Sequence, residues 1–267
     1  MVITTAVLPY RDGDAALTGF LTWDDSSADE RPGILVIHGG GGLDDHAKNQ
    51  ARRYAALGFV VLACDMFGDG VAGDRERVMA TVLRLRDDPQ RMSQRALAGL
   101  TALAACPQVD GRLAAIGFCF GGMAVLALAR AGGDLAGAVS IHGSLATPRP
   151  ARPGSVRAKV LVCHGALDPH VPIAHVTAFV EEMNQAGADW QLMIYGGAMH
   201  GFTHRDAVTG ATPGVAYDAL TDQRSFDATR GFLAELFPNG PANLPSPSPS
   251  TAEPETAATD IGARPMM

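Results

Sequence analysis

The sequence predicts a doubly wound α/β fold, a mostly parallel sheet with helices on both faces. Three observations carry this expectation. Short apolar runs rich in β-branched residues alternate along the chain with amphipathic stretches of helical length. The runs are apolar almost throughout, the pattern of strands buried on both faces between layers of helices. The residues with chemical potential fall directly after those runs, where an open α/β sheet collects its reactive groups.

Taken in order, Ile3–Leu8 and Leu17–Thr22 read as an N-terminal antiparallel pair at the sheet edge. Six further strands are expected at Gly33–Ile37, Phe59–Ala63, Leu113–Gly117, Gly137–Ile141, Lys159–Cys163 and Trp190–Tyr195. Helices are expected at Asp45–Leu57, Asp74–Arg86, Gln90–Ala105, Phe120–Ala131, Ile173–Ala186 and Leu220–Leu236. Gly58 and Gly187 stand where a helix end needs a left-handed residue, and Pro172 where a helix start tolerates a missing N–H. Residues 1–239 form one expected domain. From Gly240 to Met267 the chain holds a Pro-Ser repeat and no aromatic residue, so it cannot bury enough apolar surface to offset its entropy and is expected to be a disordered tail.

Composition narrows the function. Of 267 residues, 47% are hydrophobic and 18% charged, which is a globular composition. The net charge of −7 offers no basic surplus for a phosphate backbone or an anionic bilayer, so nucleic acid and membrane are not expected partners. No apolar run approaches the roughly 20 residues of a spanning helix, and no basic cluster precedes an apolar stretch at the N-terminus. A cytoplasmic location is expected. Cys64, Cys106, Cys119 and Cys163 lack C-x-x-C spacing and read as reduced thiols.

After the Leu113–Gly117 strand comes Gly117-Phe118-Cys119-Phe120-Gly121, which has the spacing of a G-x-S-x-G nucleophile elbow with cysteine in the serine position. Its strand-to-helix turn would hold Cys119 exposed at a helix N-terminus, where the dipole favours the thiolate. Asp168 follows the Lys159–Cys163 strand and His200 follows Trp190–Tyr195. Alone, Asp168 would be a turn or cap carboxylate and His200 a surface-loop histidine. Together they complete the order nucleophile, acid, base of the α/β-hydrolases, with each member after its own strand. Gly33–Ile37 leads into His38-Gly39-Gly40-Gly41-Gly42, similar to the HGGG loop of lipases and esterases. Acyl transfer needs two N–H donors at the developing oxyanion, and the expected pair is the amides of Phe120 and Gly40.

From Arg31 to Phe237 the chain resembles the dienelactone hydrolases, the cysteine-dependent carboxymethylenebutenolidase-like members of the α/β-hydrolase superfamily. The resemblance rests on the Gly39–Asp45 loop, Arg52–Val60, Asp65-Met66-Phe67-Gly68, the cysteine elbow, Gly165-Ala166-Leu167-Asp168-Pro169 and His200-Gly201-Phe202. It implies an α/β-hydrolase fold, a Cys119–His200–Asp168 triad acting through a thioester, and a small ester or lactone as substrate, with no cofactor and no metal. Two positions depart from it. Gly39 stands where the family places an activating glutamate, and His204, with Arg205 beside it, where the family places an arginine for a substrate carboxylate.

Other function classes fit the sequence less well. His164, His170 and His175 cluster in sequence, but spacings of six and five do not match metal-ligand pairing on one helix. A non-catalytic fold binding a ligand in the cleft would have no use for a strained cysteine elbow. A thiol acyltransferase would share the thioester and differ only in the acceptor.

Overall fold

A computed structural model describes residues 1–68 and 71–241. The tail expected over 240–267 therefore lies, apart from Gly240 and Pro241, outside the described residues. The elements in chain order are β1 (Ile3–Asp12), β2 (Ala15–Asp24), β3 (Arg31–Ile37), α1 (Asp45–Ala55), β4 (Val60–Cys64), α2 (Arg75–Asp87), α3 (Pro89–Ala104), β5 (Val109–Phe118), α4 (Phe120–Arg130), β6 (Gly137–Ile141), β7 (Lys159–Gly165), α5 (Ile173–Ala186), β8 (Trp190–Tyr195) and α6 (Ala219–Leu236).

The eight strands form one sheet in the order β1-β2-β4-β3-β5-β6-β7-β8. β3 to β8 run parallel, while β1 and β2 pair antiparallel at one edge, with β2 antiparallel to β4. This is the doubly wound fold expected. Successive residues of a strand point to opposite faces, so β3 sends Leu35 and Ile37 into a core shared with α3, α4 and α5, and Ile34 and Val36 into a second core with α1 and α6.

Local chemistry sets the helix starts. Asp44, Asp74, Asp88 and Asp218 each cap a helix by accepting a backbone N–H, and Pro89 occupies the first turn of α3. Gly187 closes α5 in the left-handed conformation at φ 66°. Several elements start or end a few residues from the sequence reading, and β8 differs in its burial. β5 begins at Val109, four residues early, because a bulge between Arg31 and Gly33 lets Arg31 pair with Val109. β8 is not buried on both faces: it is the free edge, and Met193 and Ile194 are exposed. Among the described residues no helix is long and apolar enough to cross a membrane.

Candidate active site

The site is built on the carboxyl ends of β3, β5, β6, β7 and β8. Cys119 directly follows β5 and is the N-cap of α4, with φ 52° and ψ −113°. A non-glycine residue there is strained by about 1–3 kcal/mol, and the turn is tight because its glycines leave no room. A Cβ on Gly117 would strike the Gly121 carbonyl, and one on Gly121 the Ile37 carbonyl. The strain aims Sγ at the loops after β3 and β8. Cys119 is half-buried rather than exposed as the elbow pattern implies, because those loops close over it.

His200 Nε2 lies 3.0 Å from Cys119 Sγ, and its Nδ1 lies 2.8 Å from Asp168 Oδ2. The Asp168 side chain is fully buried, and its other oxygen accepts the backbone N–H groups of His170 at 2.8 Å and Val171 at 3.3 Å. The structure thus brings together the three side chains that the sequence separates by 49 and 32 residues. Burial opposes the Asp168 charge, yet the His200 hydrogen bond and charge hold its carboxyl below the usual range. Burial also opposes charge on His200, but hydrogen bonds to Asp168 and Cys119 push it up to about 10. For Cys119 burial favours the thiol. The His200 hydrogen bond and charge, with the N–H groups of Phe120 and Gly40, outweigh burial and hold it below its ordinary value. Both shifts favour the charged pair of thiolate and imidazolium over the neutral one.

Phe120 and Gly40, the two expected donors, therefore converge on the sulfur. Gly40 is aimed by a buried histidine. His38 Nε2 accepts the Met66 N–H at 3.0 Å, so the ring proton sits on Nδ1 and donates to the Gly39 carbonyl at 2.7 Å. That carbonyl and the Gly40 N–H belong to one trans peptide and point opposite ways. Holding one directs the other. A side chain at Gly40 would meet nothing within 4 Å, leaving this amide open to a substrate.

The two departures from the resemblance are neighbours in space: a Cβ on Gly39 would lie 3.5 Å from His204 Nε2. His204 stacks on His46, ring centroids 3.7 Å apart. Burial lowers its pKa, with the His200 charge acting the same way against Asp44 and Asp206, so the ring is neutral. Sequence reasoning missed His142, Thr203 and His46, which pack around the elbow. The only signal available was position, since His142 follows β6 directly and Thr203 lies three residues past His200.

Residues 17–237 match the Dienelactone hydrolase family. The dienelactone hydrolase-like promiscuous phosphotriesterase P91, from metagenomic libraries, is 40% identical, with 88% of this chain and 99% of that one covered at a TM-score of 0.82. The structure named m3DLH is 39% identical over the same shares, at a TM-score of 0.83. The uncharacterized protein K02A2.1 of Caenorhabditis elegans is 39% identical over 150 residues, which are 55% of this chain and 95% of that protein.

Proposed function

From the premise that the chain belongs to the dienelactone hydrolase family, an ester hydrolase on an α/β-hydrolase fold, we propose that it hydrolyses small uncharged carboxylic esters or lactones through a Cys119 thioester. The observation that carries this reading is His200 bridging Cys119 Sγ at 3.0 Å and Asp168 Oδ2 at 2.8 Å.

The Cys119 thiolate attacks the substrate carbonyl carbon, and the electron pair moved onto oxygen is met by the N–H groups of Phe120 and Gly40. The tetrahedral intermediate collapses, the C–O bond breaks, and imidazolium His200 gives its proton to the departing alkoxide. A thioester and neutral His200 remain. His200 then takes a proton from water, whose oxygen attacks the thioester. The carboxylic acid leaves and the thiolate–imidazolium pair is restored. Asp168 holds the ring tautomer and offsets the imidazolium charge throughout.

The uncharged acyl group follows from His204. A neutral ring stacked on His46 offers no fixed cation to a substrate carboxylate. A reducing, cytoplasmic setting fits four unpaired cysteines, one of them nucleophilic. Because the relative P91 is a promiscuous phosphotriesterase, a p-nitrophenyl phosphotriester belongs in the substrate panel.

The test is hydrolysis of p-nitrophenyl acetate, short-chain esters and lactones by wild type and Cys119→Ala, with mass spectrometry of the quenched enzyme for an acyl adduct on Cys119. Loss of turnover in Cys119→Ala and a trapped adduct are expected. Equal rates for the two proteins would favour a ligand-binding fold, and faster product formation with an added alcohol or amine would favour an acyltransferase.

A further inference from the structure

The hydrogen-bond directions around the elbow are set by a group that can only donate. The Cys119 backbone N–H lies 3.0 Å from the Ile141 carbonyl and 3.1 Å from His142 Nδ1. Nδ1 must accept, so the His142 proton sits on Nε2. Nε2 lies 2.8 Å from Thr203 Oγ1 and donates to it. The Thr203 hydroxyl proton is then free for His46 Nε2, 3.0 Å away. That nitrogen accepts, which leaves the His46 proton on Nδ1, a buried atom with no partner in the structure.

We propose that His142, Thr203 and His46 form a relay of neutral groups with a single direction that positions the nucleophile elbow against the loops carrying the base and the oxyanion donor. It rests on the reading of Cys119 as the nucleophile. Its members come from three places, the end of β6, the loop three residues beyond His200, and the first turn of α1 just past Gly39–Gly42, and they meet at the Cys119 turn. None of the three side chains touches a reacting atom in the mechanism above. They are positioning residues.

A second observation points the same way. His142 and Cys119 are the non-glycine residues with positive φ among those described, at 41° and 52°. A glycine would relieve the strain at His142, and this chain keeps a fully buried imidazole there. Burial, reinforced by the His200 charge, lowers the His142 pKa. Burial and His204 take that of His46 down to about 3, so both rings stay neutral at ordinary pH.

Thr203→Val keeps the shape and removes the hydroxyl, and Thr203→Ser restores it. Thr203→Val is expected to lower kcat for p-nitrophenyl acetate about tenfold, equivalent to about 1.4 kcal/mol, with KM little changed and Thr203→Ser retaining most of kcat. Iodoacetamide alkylation of Cys119 reads the thiolate, which His200 and the N–H groups of Phe120 and Gly40 hold, so its pH profile should move to higher pH in Thr203→Val and return towards wild type in Thr203→Ser. An alkylation profile unshifted in Thr203→Val, undiminished turnover, or a serine variant no better than valine would overturn the relay. Nitrogen-15 spectra of the wild-type histidines at pH 7 decide independently, even if Thr203→Val does not fold. The proton is expected on Nε2 of His142 and Nδ1 of His46, and either reversed tautomer refutes the relay. If Cys119→Ala retains full hydrolysis, the thioester reading fails while the tautomers still report on the relay.

Discussion

Cys119 combines two costs, a strained backbone and a desolvated sulfur, and both are offset by its neighbours. The other three thiols carry the desolvation alone. Burial pushes Cys163 up to about 12 and raises Cys64 and Cys106 as well. Only Cys119 should therefore alkylate rapidly in the native protein at pH 7, and His200→Ala should move its alkylation profile to higher pH; peptide mapping after iodoacetamide treatment checks both. A second prediction concerns the alkaline limb. Leaving-group departure needs the His200 proton, and His200 keeps it until the pH approaches about 10. Hydrolysis should hold through pH 8 and decline as pH rises through that value, while a limb near 6.5, the value of an unperturbed imidazole, would mean that the pair is not charged at rest.

Among the elements, α4 is the one most constrained by the chemistry. Its cap residue makes no side-chain cap bond, and the Phe120 N–H turns to the Cys119 sulfur instead, while the helix lies so close to β3 that Gly121 has no room for a side chain. Gly121→Ala should cost about 3 kcal/mol or more in urea unfolding. Gly231→Ala, on the exposed face of α6 with nothing within 4 Å, should stabilise by about 0.5–1 kcal/mol. The far end of α4 is fixed by Arg130, which holds both Glu182 oxygens of α5 at 2.7 and 2.8 Å and donates to the Leu145 carbonyl. Both side chains are nearly buried. Arg130→Ala should destabilise by about 3–5 kcal/mol, because it strands a buried carboxylate. Equal unfolding midpoints for wild type and Arg130→Ala would show the pair to be dispensable.

On the scale of the whole molecule, both cores are assembled from the same strands, so neither can melt while the other persists. One cooperative urea transition is expected, with tryptophan fluorescence and circular dichroism coinciding. The sheet, both cores and the three site loops are complete by Pro241. A chain ending there should keep the same midpoint and the same kcat/KM; a broadened transition would show that later residues take part in the fold.

Much of this was legible in the sequence because it is local. Strand and helix periodicity, the cap at Gly187, and glycine spacing around Cys119 depend on residues within a turn or two, and the observed β6, α5 and β8 begin and end where the pattern puts them. The order Cys119, Asp168, His200 pointed to three strand ends at one sheet edge, since parallel winding brings every such end to the same side. What the sequence could not supply was anything set by approach across that edge. The neutral tautomers of His38 and His142 follow from which backbone amide meets which ring nitrogen. The pairing of Gly39 with His204, 165 positions apart, and the inclusion of Thr203 and His46 arise from loops meeting in space. Hydrogen bonds have direction and a reach of about 3 Å, and at that precision only the packed tertiary structure decides which groups meet.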